Sequence, residues 1–156
     1  MGKVWIQRIY KQTKNEDIKP AEKILHRTTQ DCRFARRKIS LCMNEYTKYI
    51  GQIVKVIMDR PMGTTHPRIP EIYYTLNYGY IPDTMAPDGE EIDAYILGIS
   101  EPLSEFTGEC IAVIHRLNDN DDKLIVVPKG ITFTDEQIIT LTNFQEKYFK
   151  SEIIRN

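Results

Sequence analysis

Beyond residue 51 the chain reads as short apolar runs broken by turn residues, and only near its end does the apolar spacing become helical. Residues 52–60, rich in Ile and Val and stopped by Pro61, predict a first strand, with Gly63 and Pro67 in the loop beyond. Residues 73–81 form an aromatic segment ending at Pro82. Residues 92–99 follow the turn Pro87-Asp88-Gly89 and are apolar enough for a buried strand. Residues 108–117 and 123–127 flank the polar stretch 118–122 and predict a hairpin. Thr134-Asp135-Glu136-Gln137 has capping-box spacing, in which a hydroxyl and an amide three residues apart satisfy each other's backbone N–H. It opens a predicted helix running to about residue 152, with Ile138, Leu141, Phe144, Gln145 and Tyr148 at helical spacing. Five short strands and one late helix predict a mainly β (α+β) fold, a small antiparallel barrel with a helix packed against it.

The first 50 residues differ in texture. One helix is predicted there, from about 19 to 37 with Pro20 in its first turn, but its apolar stripe is patchy. They hold 12 Lys and Arg against 5 Asp and Glu, which leaves 9 against 17 for residues 51–156. This break predicts a basic extension, residues 1–50, joined to an acidic domain, residues 51–156. A solvated arm explains the basic segment most simply; an arm for nucleic acid or a membrane surface is the sharper alternative. Glu16, Asp17, Glu22 and Asp31 argue against a transit peptide, and a natural start at Met43 would remove most of the arm.

With 156 residues, 41% of them hydrophobic, the chain can bury a real core. It has no apolar run of about 18 residues, so no membrane span is expected. Residues 1–14 lack the apolar stretch of a secretory signal. The three cysteines, Cys32, Cys42 and Cys110, are odd in number and lack CxxC spacing, as expected of reduced thiols in a cytoplasmic protein.

The richest chemistry lies in Asp88-Gly89-Glu90-Glu91-Ile92-Asp93, where a turn enters an apolar strand. Asp88 and Glu90 share a side in extended backbone, and Gly89 allows a bend that would bring Asp93 to the same point. Two such charges about 5 Å apart repel by about 3 kcal/mol at an effective dielectric near 20. Convergence would raise a pKa by roughly two units unless a cation sat among them. Hard oxygen donors with no nearby Cys or His favour Mg²⁺ or Mn²⁺. A second acidic turn, Asp119, Asp121 and Asp122, precedes Lys123. Arg60, Lys123 and Lys150 could act as fixed positive charges on phosphoryl oxygens. Tyr73, Tyr74, Tyr78 and Tyr80 divide between core packing and a cleft. GxGxxG, GxxxxGK[ST], GxSxG and HExxH are all missing, and His26, His66 and His115 show no ligand spacing. Cys110, in an apolar strand, reads as inert packing.

In order along the chain, Asp59-Arg60, Tyr74-Thr75-Leu76-Asn77-Tyr78-Gly79-Tyr80-Ile81 and Asp88-Gly89-Glu90-Glu91-Ile92-Asp93 resemble the motifs of the soluble, magnesium-dependent inorganic pyrophosphatases. Those motifs are Asp-Arg, Tyr-Pro-x-Asn-Tyr-Gly-Tyr/Phe-Ile and Asp-Gly-Asp-Pro-x-Asp. The resemblance spans residues 51–152, is most specific from Tyr74 to Asp93, and extends to a compact bacterial branch of the family. It implies an OB-like five-stranded barrel in a homo-oligomer, with Asp88, Asp93 and Asp121 (or Asp122) as Mg²⁺ ligands. It further implies Glu90 as acceptor of the water's proton with Tyr78 beside it, and Tyr74 near the cleft. Arg60, Lys123 and Tyr148 would hold phosphates, and Lys150 matches a helix lysine with a one-residue offset from Tyr148. The implied reaction is hydrolysis of pyrophosphate by water shared between two Mg²⁺ ions.

Departures are also plain. The family's first-strand acid and Lys-x-Glu pair lack clear counterparts, with only Lys48 and Glu45 as candidates. The ligand preceding Asp121 falls on Asn118 or Asp119, and the base is Glu where the family has Asp. A catalytically weakened member that binds metal or a phosphorylated metabolite is therefore the alternative. A single-stranded nucleic-acid module is disfavoured by the acidic barrel.

Overall fold

The structure is a computed structural model and describes residues 45–155. The predicted helix near 19–37 and most of the basic extension lie outside those residues.

Strand β1 (Ile53–Arg60) alternates outward and inward, burying Val54, Val56 and Met58. It pairs antiparallel with β2 (Asn77–Ile81), which pairs antiparallel with β3 (Ile92–Ile96). The long β4 (Glu105–Arg116) pairs antiparallel with both β1 and β5 (Lys123–Val127), and β5 lies beside β3. The order β1-β2-β3-β5-β4 returns to β1 and closes a five-stranded barrel, as expected of an OB-like fold. One seam departs from the antiparallel expectation: β3 and β5 run parallel. Each of the other four barrel seams is antiparallel, and a closed ring of five strands cannot alternate direction all the way round. β5 is buried along its whole length because neighbours cover both its edges and apolar layers cover both its faces.

Those layers are two cores. Val54, Val56, Ala94, Ile96, Leu124 and Val126 fill the barrel with Tyr46, while Tyr78, Tyr95, Leu97, Ile125 and Val127 form a second layer with Ile138. Ile138 belongs to helix α1 (Asp135–Glu146), which opens with the expected capping box: Gln137 N–H donates to Thr134 Oγ1 at 3.3 Å and Thr134 N–H to Gln137 Oε1 at 2.8 Å.

The helix stops at Glu146, short of the predicted residue 152. Residues 151–154 form instead a sixth strand, β6 (Ser151–Ile154), paired with β4 from Val113 to Arg116. β1 occupies that edge of β4 only up to Glu109, and β6 takes the backbone groups left beyond it. Tyr148 and Lys150, placed on the helix by sequence, therefore lie in the connection to β6.

Gly79 fixes where β2 crosses β1. A Cβ there would run into the Ile57 carbonyl oxygen, so no other residue fits without moving backbone. The register slips between Met58 and Arg60, and this bulge sets Arg60 opposite Tyr78.

Candidate active site

The two-residue period places Asp93 and Tyr95 of β3, Lys123 and Ile125 of β5, and Ile114 and Arg116 of β4 on one barrel face, the face under α1. Because β3 and β5 run parallel, with Ala94 beside Leu124, Asp93 and Lys123 emerge side by side. Lys123 Nζ lies 2.6 Å from Asp93 Oδ2 and 2.5 Å from Asp121 Oδ2, with no side-chain exposure. Tyr78 Oη donates to the same Asp93 oxygen at 2.5 Å, and its ring faces Lys123 Nζ at 5.8 Å. This pit unites Tyr78, Asp93, Asp121 and Lys123 among the residues expected from sequence.

Its electrostatics follow from burial. Removal from water pushes the Asp93 carboxyl up, against the opposing pull of the Lys123 ammonium. Burial disfavours charge on Lys123, but Asp121 and Asp93 outweigh it and keep the ammonium. Burial, then the charge on Asp93, drives the Tyr78 phenol far above its ordinary value, so it remains a proton donor.

Around the pit, Tyr74 is buried against Tyr78 and Phe144, with ring centroids 5.5 Å away in each case. Arg60 lies at the rim, its Nη1 held by Asp59 Oδ2 at 2.9 Å and Asp59 O at 2.8 Å. Asn77 anchors this rim: its Oδ1 accepts from Met62 N–H and Leu103 N–H, each at 3.0 Å.

The remaining expected residues stand elsewhere. Asp88 and Glu90 remain exposed on a turn that closes on itself, with Asp88 Oδ1 accepting the Glu90 N–H at 3.1 Å. Gly89, at φ +90°, makes that turn but does not bring Asp88 and Glu90 round to Asp93. Asp122 turns from the pit to His115 Nδ1, 2.8 Å away, and accepts the Arg116 N–H at 2.9 Å. Tyr148 is half-buried against the layer under α1, with Lys147 Nζ 5.1 Å from its ring. Lys150 is exposed; its N–H donates to Asn118 Oδ1, and its side chain borders an outer groove of about 390 Å³ with Leu117 and Ile139.

Arg116 is the residue that sequence reasoning missed. Its buried guanidinium forks onto Glu146, with Nε 3.0 Å from Oε2 and Nη2 2.6 Å from Oε1. Nη1 lies 3.4 Å from Asp119 Oδ2 and 3.6 Å from Asp121 Oδ2, and Phe149 stacks on the group at 3.7 Å. Tyr95 Oη donates to Glu146 Oε1 at 2.7 Å. The available signal was an arginine ending an apolar run, which burial obliges to find acids. Tyr46, preceding the predicted domain start, was missed too; its phenol is pushed up first by burial and then by Asp121, Asp122 and Asp88.

The oxygen donors suit a hard divalent ion, but their arrangement does not fit the implied two-ion centre. Among the described residues no three Asp, Glu, His or Cys side chains converge to hold an ion. The oxygens that do converge are already bound by an ammonium and a guanidinium.

Residues 51–154 match the family model described as inorganic pyrophosphatase. An inorganic pyrophosphatase of Rickettsia typhi is 31% identical over 106 residues, which are 65% of this chain and 52% of that protein. The chain thus spans about half the length of the curated relative it matches. The barrel superimposes on pyrophosphatase crystal structures from Ehrlichia chaffeensis (TM-score 0.56, 18% identity, 68% of this chain and 87% of that one) and Neisseria gonorrhoeae (TM-score 0.52, 23% identity, 63% and 74%). At these identities the structures attest the fold, while the family model covers both motif turns and every strand: the chain belongs to the inorganic pyrophosphatase family.

Proposed function

We propose that this chain hydrolyses inorganic pyrophosphate to two orthophosphates, in the pit formed by Tyr78, Asp93, Asp121 and Lys123. The observation that supports this best is the Lys123 ammonium, fully buried and fixed between two carboxylates at 2.5 and 2.6 Å beside a phenol donor. A fixed positive charge of this kind stabilises charge growing on phosphoryl oxygens without reorganising during the reaction. Arg60, braced by Asp59 at the rim, supplies a second. Asp93 and Tyr78 hold Lys123 in place and line the floor. Glu90, on the exposed turn, accepts the proton of the attacking water when that turn folds over bound substrate.

The family is generally metal-dependent. In this reading Mg²⁺, or Mn²⁺ in its place, arrives with the tetra-anionic pyrophosphate, so magnesium pyrophosphate is the substrate. The catalytic unit is the domain of residues 51–156, and Tyr46, Tyr49 and Ile50 at the end of the basic extension seal its core. We place the protein in the cytoplasm as a homo-oligomer. Among the described residues no helix is long and apolar enough to cross a membrane, and Cys110 is a buried free thiol whose pKa burial pushes up to about 12.

Phosphate release from magnesium pyrophosphate tests the reading. Wild type should turn over, and Asp93→Asn should be slower by about a hundredfold or more, the scale of losing one preorganised charge contact. Equal, slow release from both would sink it.

A further inference from the structure

All three carboxylates of the 118–122 turn, the candidates sequence reasoning offered for the metal-ligand positions there, are bound by one arginine. Arg116 Nη1 faces Asp119 and Asp121, its backbone N–H donates to Asp122, and its Nε and Nη2 fork onto Glu146. Its side chain and that of Asp119 are 0% and 1% exposed, and the Phe149 ring covers the guanidinium. Burial opposes the charge on Arg116, Glu146 outweighs it, and the guanidinium stays protonated.

We propose that Arg116 is a built-in cation standing where a divalent ion would otherwise bind, so that the free protein holds no metal ion on Asp119 and Asp121. A guanidinium presents fixed donors to several carboxylates at once, as an ion presents fixed coordination positions, but it cannot dissociate or be chelated. A divalent ion between Asp119 and Asp121 would meet Nη1 directly, with like charges in a site sealed from water. Arg116 also spans β4 and the C-terminal end of α1, so this cation ties the helix to the turn.

Mn²⁺ titration of the free full-length protein, read by electron paramagnetic resonance, tests this without substrate. Asp119→Asn should bind as many Mn²⁺ ions as wild type; loss of an ion on that substitution overturns the proposal. Arg116→Ala should bind one additional Mn²⁺, and its melting temperature should rise with millimolar Mg²⁺ where that of wild type does not. A folded Arg116→Ala that gains no ion also overturns it. If Arg116→Ala does not fold, the Asp119→Asn comparison decides alone. Ion binding by the free protein and phosphate release from magnesium pyrophosphate are separate measurements, so this proposal and the hydrolase reading can fail independently.

Discussion

The turn spanning residues 86–91 and the turn spanning 117–122 are both acidic bends feeding a buried strand, yet they present their carboxylates in opposite ways. In the first, Asp88 and Glu90 face water and the hydrogen bonds are local: Gly89 N–H to Ala86 O at 2.9 Å, Ala86 N–H to Glu90 O at 2.7 Å. In the second, Asp121 and Asp122 are buried and held by Lys123, Arg116 and His115. The difference lies in where the cations are. β4 ends in Arg116 and β5 begins with Lys123, so the hairpin brings its own positive charges to its own turn. The β2–β3 connection does not, and its acids stay in water, where charge is cheap. Acidic residues near a strand end therefore report a ligand site only if the neighbouring strand ends leave them unneutralised.

The largest test of this contrast is stability. Arg116→Met leaves Glu146, Asp119 and Asp121 buried without their guanidinium, which should cost about 3–5 kcal/mol in urea unfolding. Asp88→Asn and Glu90→Gln, on the exposed turn, should each stay within about 0.5 kcal/mol of wild type. Similar losses at both turns would erase the distinction. A smaller effect is expected on turnover. Tyr78→Phe removes one hydrogen bond to the Asp93 carboxylate, worth about 1.5–3 kcal/mol, so phosphate release should fall roughly ten- to a hundredfold. Tyr73, exposed and outside the pit, gives the control: Tyr73→Phe should leave release unchanged.

Much of the barrel was legible because its signals are local. Val54-x-Val56-x-Met58 alternates, Thr134 and Gln137 cap each other, and both are fixed by spacing within one element. The pit was legible in part for the same reason: Asp93 and Lys123 sit at the starts of strands whose first residues emerge together. Three features depended on contacts that no local pattern encodes. A buried strand looks the same whether its neighbour runs parallel or antiparallel, so the β3–β5 seam could not be told from its composition. Helix α1 ends at Glu146 although apolar spacing continues through Tyr148, because β4 leaves an edge further along the chain for Ser151–Ile154 to pair with. Arg116 and Glu146 are 30 residues apart, and each alone reads as an ordinary surface charge. Along α1, however, Ile138, Thr142, Gln145 and Glu146 are all buried, so the polar residues on its inward stripe were the overlooked sign of a charged partner below.

The subtlest consequence of enclosing one acidic turn is its response to pH. Burial raises the Asp122 carboxyl above its ordinary 3.8, although the Arg116 N–H and His115 bonds oppose the shift. In the unfolded chain this carboxyl gives up its proton near 3.8, whereas in the folded chain it keeps it to higher pH. Between those two values the folded state binds more protons, so the contribution of Asp122 to stability falls as pH rises and is greatest in acid. Asn is isosteric with Asp and can still accept the Arg116 N–H, but it does not titrate. Urea unfolding from pH 4 to 7 should therefore show a shallower decline for Asp122→Asn than for wild type. The two stability curves should approach each other at the acid end, where Asp122 takes up its proton in the folded state and begins to do so in the unfolded one, and separate towards neutrality. Parallel curves would mean that the carboxylate is ionised in the folded protein throughout this range. In that case the hydrogen bonds from Arg116 and His115 outweigh burial, and the second turn differs from the first in its packing but not in its electrostatics.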